Sequence, residues 1–267
     1  MRESQLIYQD ANWLIVTPRT EKAAQFWGRG TEWCTAWGDP RGLHPKRSCQ
    51  FDEYNADGPL VVIINKQDPQ ERYQWHDASY QYMDRDDNDD TTMMKKLPQQ
   101  AWAAVVPFVP ELALKHMKNF TKEVQLAVVT HNGKAIRLIQ NPSPEFQLAA
   151  VKQDGIVIEY IENPSREVQM AAVTQKGIAI VYINNPSPEV QLAAVKQDGN
   201  AIAYIKNALP EVQLAAVTQN GHAIWYINNP TPEVQLAAVM QDIGAIQWIK
   251  HPSPEVLAYV RQQGQNR

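Results

Sequence analysis

A cysteine, a histidine and several polar side chains in the first hundred residues are the groups of this chain best suited to catalysis. Cys34 and His76 are the residue types of a nucleophile and its base, an imidazole that accepts the thiol proton. No third orienting group is evident, and a lone cysteine between Trp33 and Thr35 is more often a small buried residue. We therefore expect Cys34 to be structural. The alternative is a transferase or hydrolase whose candidate residues are Arg29, Thr31, Glu32, Cys34, His76 and Asp84.

Sites for metals and phosphates are poorly supported by the sequence. The aspartate-rich run at residues 84–90 supplies oxygen ligands for a hard cation, but it lacks the glycine and distal glutamate of an EF-hand loop. We interpret this run as a solvated linker. The Gly28-Arg29-Gly30 stretch falls short of a phosphate-binding loop, and the histidines lack the spacing of metal ligands. The sequence predicts no metal site and no cofactor.

These candidates must be positioned by short strands and one helix. Apolar or alternating runs bounded by turn residues predict strands at residues 13–17, 60–64, 72–75 and 81–83, the last three forming an antiparallel meander. Residues 21–26 favour a helix. We predict a small α+β domain over residues 1–97, which is long enough for a modest core of its own.

The rest of the chain is a 22-residue repeat. Glu-Val-Gln-Leu or a close variant begins at Glu123 and returns every 22 residues, with a degenerate seventh copy at Glu255. A fixed period of this size is typical of stacked supersecondary units. We predict seven helical hairpins over residues 123–267 with a polar C-terminal cap, preceded by a divergent capping unit at residues 98–122. The predicted fold class is an α+β N-terminal domain followed by an all-α solenoid.

One copy shows how a unit is specified. Ser187 suits the N-cap of a helix, Pro188 suits its first turn, and Gly199 is predicted to end it with a positive φ. A second, shorter helix carries Ile202 and Ile205, which recur in every full copy and are expected to be buried.

Comparison of the copies separates constant from variable positions. The glutamine of the Glu-Val-Gln motif holds one place in six copies and is expected to brace the stack, with a glutamine-lined groove as the alternative. A tyrosine recurs before the second isoleucine of four copies, and we expect it to fill the space between units rather than to form a binding stripe.

Three positions change character from copy to copy, so they are predicted to be exposed, because core positions do not tolerate such changes. The first is Arg137, Glu159, Val181, Ala203, Trp225 and Gln247. The second is Lys134, Ile156, Ile178, Asn200, His222 and Gly244. The third is Thr130, Lys152, Thr174, Lys196, Thr218 and Met240. The residues predicted to bind a partner are Trp225, His222, Arg137, Glu159, Lys152 and Lys196, with neutral drift on a solvated face as the alternative.

Over residues 101–264 the repeats resemble short α-helical repeats of unknown function in bacterial and phage proteins, in the style of HEAT-like and variant leucine-rich solenoids. The Gly-x-Gly-Thr-x-Trp-Cys-Thr stretch from Gly28 to Thr35 resembles a module of phage and prophage proteins. The resemblance implies a phage-encoded protein that engages a host or rival protein, for instance as an inhibitor of a defence system (an anti-defence role).

Composition narrows the classes of partner. The net charge is −4, and Lys and Arg do not outnumber Asp and Glu in either half of the chain, so a nucleic-acid partner through Lys134, Arg137, Lys152 and Lys196 is disfavoured. Two cysteines without a disulfide pattern indicate a reducing, cytoplasmic location, and no apolar run suggests a signal peptide or membrane anchor. We expect a protein partner and lean against an enzyme.

Overall fold

The computed structural model describes residues 3–29, 33, 51, 56, 58–76, 81–84 and 96–265. The chain divides into two compact units, Met1–His131 and Asn132–Arg267. The predicted class, an α+β N-terminal region followed by regularly spaced helices, is confirmed. The predicted boundaries at residues 97 and 122 stay sequence predictions.

The first unit contains a five-stranded antiparallel sheet whose strands follow chain order. The strands are β1 (Ser4–Gln9), β2 (Trp13–Pro18), β3 (Leu60–Asn65), β4 (Arg72–His76) and β5 (Gln81–Met83), with α1 (Glu21–Trp27) between β2 and β3. Four strands and α1 were predicted to within a residue at either end, and β1 was not predicted. The continuous apolar run of β3 places it at the centre of the sheet, where both of its faces are buried.

Different residues cover the two faces of β3. On one face Trp33 is fully buried against Val16, Val62 and Ile64. On the other, Trp75 of β4 stacks on Trp102 at 5.6 Å between ring centroids.

Trp102 belongs to the first of three α-helices that follow β5 in the described part of this unit. They are α2 (Gln99–Val105), α3 (Pro110–His116) and α4 (Lys122–His131), with 3₁₀ turns at Val106–Phe108 and Met117–Asn119. Phe120 extends the aromatic contact, since its ring lies 4.9 Å from that of Trp102.

The second unit repeats one α-helix followed by one 3₁₀ segment. The 3₁₀ segments are Gly133–Leu138, Gly155–Tyr160, Gly177–Tyr182, Gly199–Tyr204, Gly221–Tyr226 and Ile243–Trp248. The α-helices are α5 (Pro144–Gln153), α6 (Arg166–Gln175), α7 (Pro188–Gln197), α8 (Pro210–Gln219), α9 (Pro232–Gln241) and α10 (Pro254–Gln265). No helix in the described ranges is both long and apolar enough to cross a membrane.

Each repeat of the second unit buries the positions that were predicted to form its core. Ser187 caps α7 by accepting from the amide of Val190, which is fully buried, and Ile202 and Ile205 are 3% and 9% exposed. Adjacent α-helices pack side by side, as do adjacent 3₁₀ segments. Each α-helix and each 3₁₀ segment is therefore buried partly by its counterparts in the neighbouring repeats.

The second helix of each full hairpin is present as a 3₁₀ segment, and two other details of the predicted hairpins were wrong. The second helix of this copy is the six-residue 3₁₀ segment Gly199–Tyr204, and the residue after it, Ile205, donates its amide to the carbonyl of Ile202 at 3.0 Å. Gly199 does not end α7 with a positive φ, because the extended Asp198 ends that helix and Gly199 begins the next segment. The seventh copy is not a hairpin, since α10 runs as a single helix to Gln265.

Candidate partner-binding face

The 3₁₀ segments present a row of large side chains to solvent, which we call the aromatic row. In one repeat, Ile202 of the segment and Ile205 directly after it are three residues apart and buried, while Ala203 and Tyr204 between them are exposed. The exposed fraction lies between 37% and 48% for Leu138, Tyr160, Tyr182, Tyr204, Tyr226 and Trp248. A large part of each of these side chains is in contact with solvent, and the expected role of the tyrosines in filling the space between repeats stays a prediction.

Beside it lies a second row, which we call the variable row. Its members are all exposed and differ in chemistry, namely Arg137, Glu159, Val181, Ala203, Trp225 and Gln247. Trp225 is 60% exposed, and its ring meets that of Trp248 edge to face at 4.3 Å. The predicted exposure of this row is confirmed, whereas its role in binding stays a prediction.

The two rows border a notch between successive repeats. One notch of about 460 Å³ has a floor of Ile224, Ile227 and Ile249 and a rim that includes Trp225, Asn228, Trp248, Lys250 and His251. We call it the basic notch. Three repeats earlier, a notch of about 560 Å³ has the equivalent floor of Ile158, Ile161 and Ile183 and a rim that includes Glu159, Glu162, Tyr182 and Asn184. We call it the acidic notch. The stack thus builds the same concavity with rims of opposite charge.

The acidic rim influences a neighbouring tyrosine. A hydrogen bond to the Glu159 carboxylate, with smaller contributions from burial and from the negative charge of Glu159, raises the pKa of Tyr160. Arg137, on the preceding repeat, opposes this shift. Tyr160 is therefore a neutral donor beside an acceptor at physiological pH.

Five asparagines adopt a left-handed backbone conformation in the loops after the 3₁₀ segments. Their φ angles lie between 47° and 53°, and all are exposed, namely Asn141, Asn163, Asn185, Asn207 and Asn229. Asn163 lines the acidic notch and Asn229 the basic notch. A proline follows each of these asparagines except Asn207, and the sequence analysis did not anticipate their left-handed conformation.

His222, the second residue of the segment Gly221–Tyr226, belongs to neither row and pairs with a carboxylate of the next repeat. Its imidazole lies 2.8 Å from the carboxylate of Asp242 one repeat on, and both side chains are partly exposed. The amide of Gly244 and this contact with His222 lower the pKa of Asp242. The equivalent Asn200 accepts from the Asn220 side chain at 3.1 Å. The second variable position therefore pairs neighbouring repeats at these two sites.

The two predicted lysines lie on the α-helices rather than on the 3₁₀ segments. Lys152 and Lys196 are both exposed. Lys152 lines a cleft of about 700 Å³ whose other walls include Arg166, Met170 and Thr174. These lysines therefore do not line either notch.

The repeated glutamines have structural roles. Five glutamines of the predicted set donate their side-chain amides to a carbonyl of the preceding loop at 2.9–3.0 Å, namely Gln147, Gln169, Gln191, Gln213 and Gln235. The sixth, Gln125, donates to the carbonyl of Met117 at 3.1 Å. A second set, which sequence reasoning missed, accepts the amide of the first glycine of the previous 3₁₀ segment in Gln153, Gln175, Gln197, Gln219 and Gln241. The constant spacing of 20 residues between glycine and glutamine was the signal available.

The candidate catalytic residues lie in the first unit, and the structure describes three of them. His76 is 1% exposed at the end of β4. The guanidinium of Arg29 lies over the Phe26 ring, and its carbonyl accepts from Arg72. Asp84 follows β5, and its carbonyl accepts from the Trp33 indole. Thr31, Glu32, Cys34 and residues 85–90 lie outside the described residues. Among the residues that are described, no three His, Cys, Asp or Glu side chains are grouped to hold a metal ion.

Comparison with known proteins adds no relative. No family model, no curated protein and no solved structure matches the chain.

Proposed function

We propose that this chain is a non-enzymatic interaction protein that binds a protein partner on the face formed by its 3₁₀ segments. One observation carries the proposal: the aromatic row and the variable row run along successive repeats with large side chains held in solvent. A regular scaffold that keeps its core constant while changing the residues of one exposed row is suited to selecting a partner.

The size and chemistry of the exposed side chains favour a protein as the partner. Tyr182, Tyr204 and Trp225 are partly or largely exposed, and tyrosine and tryptophan are enriched where proteins bind proteins. Glu159 and Glu162 on the same face would repel a phosphate backbone.

The enzymatic alternative has less support. Trp33 is fully buried in the core of the first unit, which favours a structural role for this part of the glycine-rich stretch. His76, the candidate base, is also buried. We extend the proposal to a host or rival protein as the partner only because the stretch from Gly28 to Thr35 resembles phage modules.

The proposal is tested by capturing the partner and measuring its affinity for two variants. Affinity-tagged protein is used to recover partners from a bacterial lysate, and mass spectrometry identifies them. The purified partner is then titrated against wild type, Trp225→Ala and the matched control Val181→Ala, a smaller residue of the same row. We expect Trp225→Ala to weaken binding by at least about 2 kcal/mol, the usual hot-spot threshold, and Val181→Ala to weaken it less.

The stability of the variants distinguishes a lost contact from a lost fold. Trp225 is largely exposed and packs edge to face on Trp248, so its removal is expected to cost no more than about 1.5 kcal/mol of unfolding free energy. Unchanged affinity for Trp225→Ala would show that the partner does not use this face. Unfolding of the repeats by this substitution would show that Trp225 belongs to the core.

A further inference from the structure

The two notches differ in charge while sharing their framework. Each has three buried isoleucines below it, and each has an Asn-Pro pair and a loop-bracing glutamine at its edge. Glu159 and Glu162 give the acidic notch two carboxylates, whereas the basic notch has Lys250 beside two indole rings. A single ligand that occupies both must therefore have a cationic group at one end and an apolar and anionic group at the other.

The exposed residues between the two notches also change in charge along the chain. Val181 and Ala203, the intervening members of the variable row, are uncharged and exposed. The loop residue that corresponds to Glu162 becomes Lys206 two repeats later, and it is exposed. From the acidic notch to the basic notch, charge on this face therefore changes from negative through neutral to positive.

The left-handed asparagines favour an extended peptide as the ligand. Glycine would adopt a positive φ at least as readily, yet asparagine is present at all five positions. Within the described part of the chain, the structure shows no hydrogen bond to these five side-chain amides. Each amide offers a donor and an acceptor, as does each residue of an extended peptide, and two of the five line the notches.

The spacing sets the length of that peptide. Helices that pack side by side are about 9 Å apart, so three repeats cover roughly 27 Å, which about eight extended residues span.

Resting on the function proposed above, we infer that the partner contributes an extended segment that lies across the two notches. A lysine or arginine of that segment occupies the acidic notch. About eight residues away, an aromatic or aliphatic side chain followed by an aspartate or glutamate occupies the basic notch. The indoles of Trp225 and Trp248 contact the apolar side chain, and Lys250 contacts the carboxylate.

Three fluorescein-labelled peptides of identical composition test this inference by fluorescence anisotropy. The first has two lysines, a neutral spacer of about eight residues, and then phenylalanine and two aspartates. The second has the same groups in the opposite order. The third has the charged and aromatic residues dispersed along its length. We expect wild type to bind one of the first two peptides at least about tenfold more tightly than the third, because opposite charges must coincide.

Charge reversal at both notches provides the decisive variant. In protein carrying Glu159→Lys, Glu162→Lys, Lys206→Glu and Lys250→Glu, the preference should pass to the peptide of opposite order. The control variant carries Lys122→Glu and Arg261→Glu, which reverse exposed charges on α4 and α10 and should leave the preference unchanged. Far-UV circular dichroism verifies that each variant is folded.

Several results would overturn the inference. They are equal affinity for the three peptides, a preference that survives the charge reversal, or tighter binding of a single-stranded oligonucleotide that depends on Lys206 and Lys250. None of these decides the proposed function, which is tested separately by the effect of Trp225→Ala on the captured partner. If the partner is lost on Trp225→Ala but the peptides are not distinguished, the face binds a protein by another arrangement.

Discussion

The close approach of successive repeats at Gly199 can be tested by adding one methyl group. A Cβ built on Gly199 lies 2.6 Å from the carbonyl oxygen of Ala216 and 2.7 Å from the side-chain oxygen of Gln219, both in α8 of the next repeat. Real Cβ atoms essentially never approach other heavy atoms this closely, and one of the two atoms belongs to the backbone. The Gly199→Ala substitution must therefore push α8 away from its neighbour.

The expected loss follows from two contributions. Overpacking a close-packed site costs about 1–3 kcal/mol. The shift also lengthens the hydrogen bond from the Gly199 amide to Gln219, now 2.7 Å, and a buried amide left without its acceptor costs about 1–3 kcal/mol. Alanine recovers up to about 1 kcal/mol because it restricts the unfolded chain. We expect a net loss of about 1–6 kcal/mol in the free energy of unfolding.

Urea denaturation of the full chain, followed by far-UV circular dichroism, measures this loss. Gly264→Ala is the matched control, because a Cβ on Gly264 in α10 meets no atom within 4 Å. That variant should be neutral or gain up to about 0.5 kcal/mol, since alanine is the better helix former. If Gly199→Ala is as stable as wild type, the repeats do not approach one another as closely as the structure shows.

Two further predictions concern the core of the stack and a partly exposed carboxylate of the first unit. Ile205→Ala should destabilise the stack by about 2–4 kcal/mol, from lost transfer free energy and a cavity, and a loss below about 0.5 kcal/mol in urea denaturation would remove Ile205 from the core. In the first unit, hydrogen bonds from Lys96, Asn65 and Tyr73 lower the pKa of Glu71, with that of Lys96 the largest effect. The stability that this lowered pKa contributes is fully present above the unfolded-state pKa and is lost as pH falls through the folded-state pKa. Glu71→Gln should therefore lower the thermal midpoint at pH 7 and have a smaller effect near pH 3, and an equal effect at the two pH values would contradict this reasoning.

The sequence predicted the strands of the first unit where apolar runs were bounded by turn residues. The run from Leu60 to Ile64 follows Gly58-Pro59 and was placed correctly. Strand β1 was not predicted, because its half-exposed residues give no regular alternation of apolar and polar side chains. Ser4–Gln9 is a strand because it pairs with β2, and no local sequence pattern predicts that pairing.

In the repeats, the period predicted the stack but not its finer geometry. The spacing of three residues between Ile202 and Ile205 fits a 3₁₀ segment as well as an α-helix, and only the hydrogen bonds distinguish them. The sequence analysis interpreted Gly199 as a helix end. The structure shows instead that a glycine is needed here because α8, 17 or more residues further along the chain, leaves no room for a Cβ atom. Among candidate site residues, exposure followed from variability, while the engagement of His222 with Asp242 depended on how repeats are stacked.

The separation of constant and variable positions has a physical consequence for recognition. The floor of each notch consists of isoleucines that also hold the 3₁₀ segments together, so changing the floor alters the fold. The rim consists of exposed side chains such as Glu159 and Trp225, whose replacement leaves the floor in place. Substitutions at exposed sites usually change stability by little, so rims can differ in size and charge from one repeat to the next without disturbing their neighbours. This explains how two notches built on one framework acquired opposite charge, and why we locate specificity in the rims rather than in the repeats as a whole.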